Sequence, residues 1–268
     1  MEFEHLSSPK SPFEQYVVKE IPLPNAPLIR VIGQVRFPII VSIEDMKYIG
    51  NFQERIRDIY PTLKPEQSVV LNLLGTEPKK EETVWRFFDD SENWRLTLAP
   101  NFLALEAVKY TSRDDFLQRF KDAITVLGEC ITPKHIDRIG IRYIDQVKGD
   151  ELSRIKELVR PEILGAFDSP IGEAMAHSLT QNLYKLESGA KFSTRWGLLG
   201  ERQTYDAASL MPLEEKSWML DLDMYSESRR EFSVEETISE ATQFAETIYR
   251  FFRWAVTDEF LKAYGGEA

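Results

Sequence analysis

Ile141-Arg142-Tyr143-Ile144-Asp145 restates Val35-Arg36-Phe37-Pro38-Ile39, and this pair divides the chain into two halves. Working outward, Tyr60-Pro61 is matched by Arg160-Pro161, Thr83-Val84-Trp85 by Thr194-Arg195-Trp196, and Phe102 to Tyr110 by Trp218 to Tyr225. The matches keep their order at separations of roughly 100 to 116 residues, with loops absorbing the spread. Four matches in one order predict an internal duplication of one β/α unit. Such a body has a seam or a shared concave face, which is where ligands are usually held.

In the first half, Leu28 to Ile40 reads as a strand, with Ile29, Val31 and Val35 branched at Cβ and Pro38 marking its end. Ser42, with Asp45 three residues on, is the expected cap of a helix striped by Ile49, Phe52, Ile56 and Ile59 and stopped by Pro61. Gln67 to Leu74, Thr83 to Phe88, Asn93 to Ala99 and Phe102 to Tyr110 read as an antiparallel meander, turning at Asp89 to Glu92. Thr111 and Ser112 offer caps to a second helix with Phe116, Phe120, Ile124 and Leu127 on its apolar face.

The second half follows the same order. A strand from Ile136 to Val147 leads into a shorter helix around Leu152 to Val159 and a loop over 161–173. Met175 to Leu186 and Lys191 to Leu199 form a hairpin across Ser188-Gly189, and Gly200 to Lys216 is an irregular stretch with room for a degenerate edge strand. Ser217 to Tyr225 alternates, with Trp218, Leu220, Leu222 and Met224 on one face and Asp221 and Asp223 on the other. Ser233 and Glu236 form a capping box for a last helix carrying Ile238, Ala241, Ala245, Ile248, Phe252 and Ala255 at spacings of three and four. Running from Val234 towards Tyr264, it would measure about 45 Å.

The expected class is α+β: a duplicated β-α-β(3-4)-α unit, with mainly antiparallel curved sheets and helices on one face. Residues 1–27 form a proline-rich N-terminal arm expected to pack late or stay mobile, 28–133 the first repeat and 134–268 the second. This order of elements is similar to the saddle of TATA-box-binding-like proteins and to helix-grip folds.

Composition bounds the function. A 268-residue chain with 43% hydrophobic and 12% aromatic residues can bury a sizeable core. Its net charge of -11 makes nucleic acid an improbable partner, because that binding draws on clustered cations. A single cysteine, Cys130, rules out an internal disulfide and a cysteine-rich zinc site and, without a signal peptide, points to the cytoplasm. No apolar run approaches the roughly 20 residues that span a bilayer.

Phosphate-loop, dinucleotide, zincin and nucleophile-elbow motifs are absent, so no cofactor, metal or catalytic residue is assigned. His5, His135 and His177 lie in different segments, and Cys130 reads as buried and inert. Arg36 and Arg142 hold equivalent places in the two copies. With Tyr143 and Asp145 they are the candidate ligand-binding residues, able to clamp a carboxylate or phosphate at the seam. The plainer account pairs each arginine with an acid on the neighbouring strand. Glu106, Asp145, Asp221 and Asp223 sit on predicted strands, where a solvated face explains Asp221 and Asp223 as simply as acid-base work. Phe251, Trp254, Phe260 and Tyr264 widen the apolar surface of the last helix and are the candidate partner-binding residues, against the plainer reading of a deeply buried core helix.

At Arg138-Ile139-Gly140-Ile141-Arg142-Tyr143 the chain resembles a sporadically distributed, uncharacterised bacterial family of similar length. The early Val35-Arg36-Phe37-Pro38 strand shares the likeness, which covers most of residues 28–262. The resemblance implies an accessory gene and brings no activity, cofactor or catalytic residue with it. Two function classes follow. The first is a non-enzymatic binding or interaction protein, antitoxin-like or regulatory, meeting a protein partner or a second copy through the C-terminal helix. The alternative is an enzyme or binder of a small anionic ligand at the seam. A structured nucleic-acid binder ranks third.

Overall fold

The computed structural model describes residues 11–14, 16–70 and 80–267. The first half supplies β1 (Leu28–Arg36), α1 (Met46–Ile56), β2 (Thr62–Val70), β3 (Lys80–Phe88), β4 (Trp94–Ala99), β5 (Phe102–Ala107) and α2 (Arg113–Cys130). The second opens with β6 (His135–Ile136) and β7 (Arg138–Lys148), followed by three short helical pieces, α3 (Gly149–Ser153), α4 (Ile155–Leu158) and α5 (Pro161–Leu164). It continues with β8 (Thr180–Lys185), β9 (Lys191–Leu199), β10 (Ser217–Ser226), β11 (Arg230–Glu231), α6 (Val234–Ala255) and α7 (Asp258–Ala263).

The architecture is α+β, built on one curved antiparallel sheet in the order β2-β3-β4-β5-β1-β7-β10-β9-β8. The first strands of the two halves, β1 and β7, lie side by side at its centre, and each has the last long strand of its own half, β5 or β10, as its outer neighbour. Their register places Gln34 opposite Gly140 and Arg36 opposite Arg138.

Alternation along the strands sends Val31, Val35, Ile139, Ile141, Leu220 and Leu222 into the core. On that face Phe116, Phe120, Ile124 and Leu127 of α2 and Ala241, Ala245, Ile248 and Phe251 of α6 are buried. Gly33 lets α2 sit close, since a Cβ there would come within 3.2 Å of the Phe120 ring. Ser112 caps α2 by accepting from Asp115 N at 3.1 Å, and Ser233 caps α6 by accepting from Glu236 N at 3.2 Å. A smaller cluster, Ile144, Leu199, Leu210 and Met219, lies on the opposite face under the 200–216 segment. That segment crosses the sheet as a loop and adds no edge strand.

Several boundaries differ from the sequence reading for local reasons. Asp45, not Ser42, caps α1, accepting from Lys47 N at 2.8 Å, while Ser42 lies in a 3-10 turn. α1 ends at Ile56, short of Ile59, which is exposed. The second strand begins at Thr62, and it carries Pro65 because it is an edge, where a missing N–H costs no ladder bond. The predicted Leu71 to Leu74 end of that strand lies outside the described residues.

The last helix stops at Ala255, giving α6 a length of about 33 Å. Val256 turns extended and bridges Val159, Arg160 N donates to the Ala255 carbonyl, and Thr257 caps α7. The described part of the N-terminal arm is strapped down. Ile21 N donates to the Tyr249 hydroxyl at 2.9 Å and Asn25 N to the Tyr264 carbonyl at 3.3 Å.

Candidate functional site

Between the helix-bearing face of the sheet, α6, the start of α2 and the strap over residues 20–28 lies a cavity of about 460 Å³. Its apolar walls come from Ile21, Leu23, Leu28, Val108, Leu222, Ile248 and Phe252. Polar groups enter from Tyr143 and Asp145 on β7 and from Tyr110 and Arg113 at the entry to α2. Residues i and i+2 of a strand share a face, so Tyr143 and Asp145 point into the cavity together.

Asp145 is the unusual member. It is 5% exposed, its backbone is paired with Leu28 and Leu220, and among the described residues no donor reaches its carboxyl. Burial alone pushes it up to about 7. Buried carboxyls ordinarily carry a partner, so a bare one facing an open volume marks a place where a partner is missing.

Tyr110 and Tyr143 meet edge to face with ring centroids 5.8 Å apart. Burial pushes the Tyr143 hydroxyl up to about 12, and burial with the nearby Tyr143 holds Tyr110 well above its ordinary value. Arg113, at the rim, is engaged by Glu20 of the strap at 2.5 Å.

The structure separates the four candidate ligand residues. Tyr143 and Asp145 line the cavity, whereas Arg36 and Arg142 lie on the opposite face of the sheet, because neighbouring strand residues point to opposite sides. The four-residue clamp is therefore corrected. Arg142 is a structural tie: its Nε and Nη2 donate to the two oxygens of Asp221 at 2.7 and 2.8 Å, and its Nη1 to Asp206 at 2.8 Å. Asp221, 1% exposed, also accepts from Arg195 at 3.1 Å and the Tyr205 hydroxyl at 2.9 Å. Although burial opposes both charges, the pairing holds Arg142 above and Asp206 below their ordinary values. Glu106 is similarly spent on Arg30 and Arg95.

The candidate partner residues are corrected as well. Phe251, Phe260 and Tyr264 are buried within the chain, and half-buried Trp254 packs against Phe251 with Arg160 over its ring. With the helix broken at Val256, α7 folds back and the aromatic surface is consumed internally: Phe260 meets Phe252 edge to face at 5.6 Å and Tyr264 at 4.7 Å. Cys130 is half-buried, its thiol pushed up by burial. The part of the site that sequence reasoning missed is its far wall. Tyr110, Arg113 and the strap are brought to β7 by tertiary packing, and only the Tyr143–Asp145 alternation was visible in advance.

Among the described residues no group of three or more His, Cys, Asp or Glu side chains could hold a metal, and no helix is long and apolar enough to cross a membrane. No protein-family model matches the chain, and no curated protein matches it significantly.

Proposed function

We propose that the protein is a non-enzymatic binder of a small molecule, held in the cavity beneath the N-terminal strap. The observation that carries the reading is the unpartnered Asp145 carboxyl at the wall of a mainly apolar volume. The cavity falls within the usual range for small-ligand sites, about 300 to 1,000 Å³. The complementary ligand has an apolar body and one basic nitrogen or other strong donor, which supplies the bond and countercharge Asp145 lacks. Its site lies to one side of a duplicated body, a reading supported by the placement of β1 beside β7 with β5 and β10 outside them.

The test is a matched series of alkylamines, alcohols and carboxylates of equal chain length. Amines are expected to raise Tm in the native protein and to leave Asp145→Asn unchanged. Equal responses in the two proteins, or no response in either, would overturn the reading. A second reading, association with a protein partner, is favoured by one observation: Ile39, Val41 and Met46 are all more than half exposed within eight residues of chain. A stoichiometric protein in a native mass spectrum of material purified from its own host would support it, provided Met46→Ser releases that protein.

A further inference from the structure

On the open face of the sheet, away from the cavity, Arg36 and Arg138 stand directly opposite each other across the central β1–β7 ladder. Both donate to one atom. Arg36 Nε and Arg138 Nη1 each lie 3.1 Å from Gln34 Oε1, so these two nitrogens are no more than about 6 Å apart. Like charges set opposite one another in a sheet are destabilising, and a neutral amide oxygen supplies no countercharge.

Elsewhere on the same face the half-buried arginines are neutralised at close range, Arg30 and Arg95 by Glu106 and Arg142 and Arg195 by Asp221. Here the nearest carboxylate, Asp223, reaches only Arg138 Nη2, at 3.5 Å, and no carboxylate among the described residues forms an ion pair with Arg36. Glu227 is already paired with Lys191 at 2.6 Å. Burial, opposed by Asp223 and reinforced by the charge of Arg36, pulls Arg138 below its ordinary value, as befits a cation short of an anion.

The position of Arg138 is built. A Cβ on Gly140 would come within 2.8 Å of Arg138 Nη1, so the absence of a side chain there is what lets the guanidinium lie over its own strand. The Tyr225 ring stacks 4.5 Å away. Arg36 is exposed and Arg138 beside it is largely buried, so a ligand would reach the pair from the Arg36 side.

We propose that Arg36 and Arg138 form an oxyanion site at the centre of the open sheet face, taking the carboxylate or phosphate group of a ligand between their guanidinium groups. Planar forks of this kind bind both groups through paired N–H donors. Gln34 fixes their spacing, and Asp223 is the internal carboxylate with which the ligand competes.

The experiment titrates inorganic phosphate, and separately succinate, into full-length protein labelled with 15N at arginine, following the Nε–H resonances. The expected result is saturable shifts of the Arg36 and Arg138 signals, with Arg202, an exposed arginine of another loop, unmoved. The better of the two probes separates a phosphate ligand from a carboxylate one. Arg36→Gln, an exposed change that leaves the core untouched, is expected to weaken binding about tenfold. Asp223→Asn is expected to tighten it, because the competing carboxylate is gone. Static resonances with both anions, unchanged affinity in Arg36→Gln, or weaker affinity in Asp223→Asn would each overturn the proposal. Asp145→Asn, on the other face of the sheet, is expected to leave this titration unchanged, which separates the site from the cavity.

Discussion

Asp145 has a carboxyl that titrates at about 7 in the fold, against 3.8 for an unburied aspartate. A raised value means that the native state holds the proton more tightly than the unfolded chain. Its contribution is therefore fully present below about pH 4 and is lost as pH rises through 7, a swing on the order of 4 kcal/mol. Urea denaturation is expected to show the native protein losing stability between about pH 4 and pH 7, with Asp145→Asn removing that part of the slope. Asp221 is a structural group, its buried carboxylate accepting from two arginines and a tyrosine. Asp221→Ala strands Arg142 beside Asp206 and is expected to cost about 3 to 5 kcal/mol, read as a lower urea midpoint.

Among the elements, the strap over residues 20–28 and Lys19 just before it are held by the Tyr249 hydroxyl, which accepts from Ile21 N and donates to the Lys19 carbonyl. Tyr249→Phe keeps the ring and removes both, so amides near residue 21 are expected to exchange faster while those of β7 keep their protection. The elements were legible wherever a face repeats. The stripes of α2 and α6 announced themselves because one side of each is buried, and the alternation of Ser217 to Tyr225 because one side is apolar and the other carries Asp221 and Asp223, although both sides of that strand are largely buried. What stayed hidden was the third dimension. Arg142 and Tyr143 are adjacent in sequence and so occupy opposite faces, a rule of the strand that outweighs their shared motif. The end of α6 was hidden because Ala255-Val256-Thr257 carries no glycine or proline, and the pairing of Val256 with Val159, nearly a hundred residues earlier, decides it. The covering of Arg142 by the 200–216 loop depends on Leu210 and Tyr205 finding a cluster no local pattern describes.

For the molecule as a whole, one sheet shared by both halves leaves, among the described residues, two outer strands, β2 and β8, each paired on one side. Lys64, Pro65 and Glu66 guard the first of these by charge and by a missing donor. Pro65→Val is expected to promote concentration-dependent self-association, seen as a larger mass in light scattering, with little change in unfolding of the isolated chain. The strap adds an ordering in time. Ile21 waits for Tyr249, a partner 228 positions later in the chain. During synthesis the strap precedes α6, so its bond to Tyr249 cannot form until that helix is complete, and contacts of such long range are among the slowest to form. The cavity is thus a product of two distant segments: a chain that carries Asp145 but lacks either the strap or α6 presents no pocket, so ligand capture would report that these two segments have met.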